Sequence, residues 1–152
     1  MPKPADLIAK AERIARAAHA GQVDKLGVDY FNHVRSVADA VAHLGTEYEI
    51  VGLLHDSLED CNDPKIVSPD LLNEEFGPTI AAAVDAMTKR TGEHYTQDYI
   101  PRLLPNTIAR AVKHADLAHN LSRISQLDPA QQNRLRAKYG AALNMLNSAG
   151  QR

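Results

Sequence analysis

Tryptophan is absent from this chain, cysteine occurs once, and aromatic residues make up only 5% of its 152 positions. The single Cys61 excludes a disulfide within the chain and stands in no pattern with metal-ligand spacing. With so few rings, the core must rest on Ala, Leu, Val and Ile, a palette that suits helices. A net charge of −2 offers no general attraction to nucleic acid or to anionic lipid, so neither is expected as a partner. No apolar run approaches the roughly 20 residues of a membrane span. Met1-Pro2-Lys3-Pro4 does not open a secretory signal, and a cytoplasmic location is expected. Alternating strand patterns, low-complexity tracts and internal repeats are also missing.

What is present reads as helix. Residues 4–20 place Leu7, Ile8, Ala11, Ile14, Ala15 and Ala18 on one face, and Gly21 ends the pattern. An irregular stretch, 21–32, precedes a second helix over 33–44. Thr46-Glu47-Tyr48-Glu49 has the form of a capping box, predicting a third helix that runs on through His55-Asp56. Ser68-Pro69 and Asp128-Pro129 each pair a cap with proline in the first turn. Further helices are expected over 68–77, 78–87, 94–105 (punctuated by Pro101), 106–127 and 128–149, with an exposed loop at 88–93. The fold class is all-α, and the length suits one domain over 1–152.

The chain is organised around Gly52-Leu53-Leu54-His55-Asp56-Ser57-Leu58-Glu59-Asp60. On one continuous helix His55 and Glu59 stand a turn apart, as do Asp56 and Asp60. An imidazole and three carboxylates at a buried helix end call for a positive charge, and a divalent cation meets that need. His33 opens a helix directly after an irregular loop. Asp116 lies in an otherwise apolar face with Val112 and Ala115, where an unpaired carboxylate is costly. Together His33, His55, Asp56 and Asp116 offer two imidazoles and two carboxylates from three helices. That set suits Mn²⁺ or Fe²⁺ with positions left open for water and a phosphate oxygen, and Zn²⁺ also fits. Charge is split along the chain. Nine acidic residues stand against Lys65 between Thr46 and Glu75, and seven bases against Asp116 and Asp128 between Arg102 and Lys138. Such a split suits an acidic metal site facing a basic wall that receives an anion, although most of these charges are ordinary solvated helix faces.

The order His33 … His55-Asp56 … Asp116 resembles that of the HD-domain metal-dependent phosphohydrolases. The run from Ala17 to Gly27 followed by Tyr30-Phe31-Asn32-His33 is similar to the opening of the hydrolase domain in Rel/SpoT enzymes. Residues 52–60 resemble that group's His-Asp-x-x-Glu-Asp segment. Phe76-Gly77, Met87-Thr88-Lys89 and Val112-Lys113-His114-Ala115-Asp116 through Asn120 follow in the same order. The likeness covers roughly residues 5–124 and is nearest to the small stand-alone alarmone hydrolases.

That resemblance implies a compact HD-domain bundle of about seven to eight helices that removes the 3′-pyrophosphate from guanosine tetra- or pentaphosphate, with one divalent metal, usually Mn²⁺. His33, His55, Asp56 and Asp116 would bind the metal. Glu59 and Asp60 would position and deprotonate the attacking water, and Lys25, Tyr30 and Asn120 would contact the nucleotide or its phosphates. The chain departs from the pattern at Asp24, where the group carries a basic residue expected to pack on the guanine base, and at Asp29 and Val34, where prolines are usual. Two alternatives stay open: the same chemistry on another nucleotide, motivated by Asp24, and a metal-containing regulatory module without turnover. His19 is read as packing or capping its helix end and His94 as a surface residue. No role is assigned to His114, His119, Lys89, Lys113 or Arg123, and oligomeric state is not legible.

Overall fold

The computed structural model describes residues 2–150 and consists of helices joined by short loops. In chain order these are α1 (Pro4–Ala18), α2 (Phe31–Val41) running into a 3₁₀ turn (Ala42–Leu44), α3 (Thr46–Leu54), α4 (Ser57–Asp60), α5 (Pro69–Phe76) and α6 (Pro78–Met87). A π-helical turn (Tyr95–Tyr99) then leads into α7 (Ile100–Leu103), followed by α8 (Thr107–Arg123), a 3₁₀ turn (Ile124–Gln126) and α9 (Pro129–Gly150). Among the described residues there is no strand beyond an isolated bridge between Val23 and Asp29. None of the described helices is long and apolar enough to cross a membrane.

α3 is the central helix. Its second half is apolar on all sides, with Ile50, Val51, Leu53 and Leu54 fully buried, and α1, α2, α6 and α8 pack around it. Gly52 permits the tightest of these crossings: a Cβ there would stand 2.6 Å from Ala38 Cα on α2. On the outer side Arg35 bonds Glu12 (2.8 Å), Asp39 (2.7 Å) and Glu49 (2.6 Å), tying α2 to α1 and α3. The expected caps at Ser68 and Asp128 form, accepting the N–H groups of Leu71 and Gln131. Asn106 caps α8 in the same way through Ala109.

Two expectations require correction. The capping box at Thr46 is not made: Gly45, at φ 137°, occupies the cap position, and no side chain bonds there. Glu49 is engaged by Arg35 instead. The third helix also ends at Leu54 and does not run on through His55-Asp56. His55 Nδ1 donates to Gly52 O (2.6 Å) and Ser57 Oγ to Leu54 O (2.7 Å), so side chains saturate the last carbonyls of α3. Asp56, at φ −103° and ψ 0°, then turns the chain into the single-turn α4. His55 and Glu59 therefore do not share one continuous helix face.

The loop 88–93 is held rather than loose. Arg102 donates twice to the Glu93 carboxylate (2.8 Å each) and once to Thr88 O. Those bonds, led by Arg102, hold the Glu93 carboxyl at about 2, below its usual 4.5. The pair therefore adds stability above pH 4.5 that disappears as pH falls toward 2. A Glu93→Gln protein should show a shallower acid loss of melting temperature across that window than the parent. Parallel acid limbs would contradict this.

Candidate metal centre and its cleft

Three helix ends and one helix face converge on a single point. His33 enters from the first turn of α2, His55 and Asp56 from the break between α3 and α4, and Asp116 from the middle of α8. One ligand atom from each of the four lies within 4.8 Å of the others. His33 Nε2 stands 2.9 Å from Asp116 Oδ1 and 3.8 Å from Asp56 Oδ2. His55 Nε2 stands 3.1 Å from Asp56 Oδ2 and 3.5 Å from Asp116 Oδ1.

The donor set fits a divalent ion. The bond from His55 Nδ1 to Gly52 O fixes the imidazole so that Nε2 turns inward, where it is buried without a hydrogen-bond partner. Its lone pair would face two carboxylates, an arrangement that demands a positive charge, from a proton or a metal. Burial opposes charge on His55, but Asp56 and Asp116 outweigh it and hold the imidazole pKa well above normal. Burial would likewise raise the Asp116 carboxyl; Lys113 and the two histidines instead hold it well below the usual range.

Further side chains fix these four. His33 Nδ1 pairs with His119 Nδ1 at 2.8 Å, so the ring is held from behind. Lys113, buried on α8, gives its ammonium to Asp116 Oδ2 at 3.0 Å and lies 5.2 and 5.0 Å from the ring centres of Tyr95 and Tyr99. Lys113 and His119 thus acquire the structural role that spacing alone could not assign. Tyr30 donates its hydroxyl to Asp56 Oδ2 at 2.6 Å, and burial with that carboxylate pushes the phenol pKa up.

The remaining expected residues border the cluster. Glu59 accepts the backbone N–H of Lys89, and Asp60 accepts from Gln22 (3.1 Å), which in turn bonds His19 (2.8 Å). Burial raises both carboxyl pKa values. His19 sits at the end of α1 as expected, although it is nearly fully buried, and His94 is exposed. His114 is exposed beside His43 and Leu44, away from the cluster.

A cleft of about 280 Å³ opens beside the centre and gathers Lys25, Tyr30 and Asn120. Its apolar wall comes from Leu26, Ile124, Leu127, Leu135 and Tyr139, and Asp24 and Arg123 lie at its side. Tyr30 touches Asp56, and Asn120 Nδ2 approaches Asp116 Oδ1 at 3.5 Å, so the cleft ends on the carboxylates of the cluster. Gln22 and Tyr139 were not singled out from the sequence. Nothing in local spacing marks either, because their partners lie on other segments.

A family model described as "HD domain" matches residues 11–141. The chain is 33% identical over 134 residues to a guanosine-3′,5′-bis(diphosphate) 3′-pyrophosphohydrolase of Haemophilus influenzae, covering 80% of this chain and 19% of that protein. It is 36% identical over 90 residues to the enzyme of that name from Aquifex aeolicus, covering 58% and 12%. It is 27% identical over 146 residues to a GTP pyrophosphokinase of Myxococcus xanthus, covering 86% and 19%. The chain thus spans a fifth or less of the length of these curated relatives. A solved structure titled as a metazoan ortholog of SpoT that hydrolyzes ppGpp and plays a role in starvation responses shares the fold. Its TM-score is 0.78 at 19% identity, over 98% of this chain and 90% of that one.

Proposed function

The chain belongs to the HD-domain family, and on that footing we propose that residues 1–152 act as one metal-dependent phosphohydrolase domain that removes the 3′-pyrophosphate from guanosine tetra- and pentaphosphate. The observation that carries this reading is the junction of cluster and cleft. Tyr30 and Asn120 line the cavity of about 280 Å³ and also reach the carboxylates of the four-residue cluster. The names of the Haemophilus and Aquifex relatives support the same substrate.

His33, His55, Asp56 and Asp116 would hold the ion, with Mn²⁺ best suited to the mixed nitrogen and carboxylate donors and Fe²⁺ or Zn²⁺ as alternatives. When bound, a divalent metal supplies Lewis acidity and lowers the pKa of water. Glu59, with one carboxylate oxygen occupied by Lys89 N–H, keeps the other for the proton of the attacking water. Asp60, steadied by Gln22, orients that water. The water oxygen bonds to the phosphorus on the ribose 3′ oxygen, that P–O bond breaks, and the products are pyrophosphate and GDP or GTP. Lys25 meets the phosphates at the rim. Burial and the nearby charges of Lys113, Lys25, Arg134 and Lys89 lower the pKa of Lys138, so cations converge here despite the chain's overall charge. A polyanion relieves that crowding.

Two results follow. Glu59→Gln should lower kcat by about 10²–10⁴-fold with metal content unchanged. His119→Phe, which keeps a ring but not the bond behind His33, should weaken metal affinity about 10–100-fold by equilibrium dialysis. Unaltered affinity would show that the bond does not orient His33. Pyrophosphate release over a nucleotide panel with Mn²⁺ tests the function itself. Release from the guanosine alarmone is expected, release only from another nucleotide would move the substrate, and none from any would leave a regulatory module.

A further inference from the structure

Asp24 and Arg123, far apart in sequence, are built into one unit at the side of the cleft. Asp24 Oδ1 accepts the N–H groups of Leu26 (2.8 Å) and Val28 (3.1 Å), which folds the loop back over Gly27 at φ 81°. Its Oδ2 is shut off from solvent and lies 2.6 Å from Arg123 Nη1. Both oxygens are therefore committed within the protein, and Asp24 has no acceptor left for a ligand. Arg123 Nη1 is the guanidinium nitrogen nearest Asp24 Oδ2, and the guanidinium carries five N–H donors, more than that one oxygen can accept. The loop's own cation, Lys25, is exposed and free to meet phosphate.

Position along α8 gives the pair its meaning. Asp116, Asn120 and Arg123 follow one another at helical spacing, with about 10 Å of rise from the first to the last at ~1.5 Å per residue. A nucleotide whose 3′ phosphorus reaches the cluster places its ribose near Asn120 and its base near Arg123. The base would lie along Ile124, Leu127, Leu135 and Tyr139, a wall suited to a flat, apolar face.

Resting on the reading of this cleft as a nucleotide site, we propose that Arg123 recognises the guanine base by donating to its O6 and N7 edge, and that Asp24 is the residue that aims it. Guanine offers two acceptors on that edge, whereas adenine replaces one with an amino group that opposes a second donor. Asp24, on the loop, thus supplies the base pocket with a guanidinium from α8 while contributing no positive charge of its own.

Binding of GDP and of ADP to the metal-loaded 152-residue chain tests this without turnover, alongside steady-state kinetics on the alarmone. Arg123→Ala should weaken GDP about 10–100-fold and ADP less than about threefold. On the alarmone the same variant should raise KM and leave kcat nearly unchanged. Asp24→Asn keeps a side-chain acceptor for the loop amides but loses the ion pair, so it should weaken GDP partially and in the same sense. Wild type that binds no GDP, or holds GDP and ADP equally, overturns the proposal, as does an Arg123→Ala change that affects both alike or neither. If wild type cleaves no alarmone yet prefers GDP through Arg123, the hydrolase reading falls and this assignment stands.

Discussion

An Asp116→Ala protein is expected to lose its bound metal, its hydrolytic activity and a large part of its stability together. Asp116 is the one cluster residue that contacts both histidines and a buried lysine. Its removal would take one of the four candidate ligands from the cluster and leave the Lys113 ammonium buried without its carboxylate. Breaking one partner of a buried pair typically costs about 3–5 kcal/mol, and two tyrosine rings 5.0–5.2 Å away make only a partial substitute. Activity should fall more than about a hundredfold, beyond the loss typical of groups behind the ligands. Asp116→Asn separates the effects, since the amide keeps the shape and much of the hydrogen bonding while removing the charge. It should remain better folded than Asp116→Ala and still bind metal poorly. A stable, fully active Asp116→Ala protein would remove the metal centre from the account.

Gly52→Ala should also be damaging, although it changes none of the four cluster side chains. The new methyl would stand 2.6 Å from Ala38 Cα, 3.0 Å from its nitrogen and 3.1 Å from its Cβ, so α2 and α3 must part. Overpacking of a rigid contact costs about 1–3 kcal/mol, which at this size lowers the melting temperature by roughly 2–12 °C. The two helices also carry His33 and His55, and a misplacement of about 1 Å at a reacting centre can cost roughly 10²-fold in rate. Calorimetry and pyrophosphate release should therefore fall together. Ala38→Gly in the same chain should not restore either, because it removes only the Cβ and leaves the clash with backbone. Rescue by that change would show the contact is softer than the geometry requires.

Much of this was legible because the informative residues carry costs that only one arrangement relieves. A carboxylate within the Val112–Ala115 face, a histidine opening a helix and a His-Asp doublet after an apolar run each need a partner, and the four side chains meet in one cluster. The helices were equally visible, since Ser68-Pro69, Asp128-Pro129 and the apolar stripes are local signals. What failed to show was set by tertiary contacts. Thr46 to Glu49 has the form of a capping box, yet Arg35 from α2 takes Glu49 and Gly45 sets the helix start. Periodicity carried the third helix past His55, but His55 and Ser57 close it by bonding its own carbonyls. Asp24 stood out as a departure without an explanation, because its partner Arg123 lies on α8. Tyr30 was assigned to the nucleotide by the family resemblance; its hydroxyl reaches Asp56 and its ring lines the cleft, a link to the cluster that no local signal shows.

The most direct test is metal content measured on the same purified sample whose pyrophosphate release from guanosine tetraphosphate is followed before and after chelation. One divalent ion per chain, with release abolished by its removal and recovered best by Mn²⁺, is the predicted result. Release that continues undiminished in metal-free protein would contradict the account at its centre.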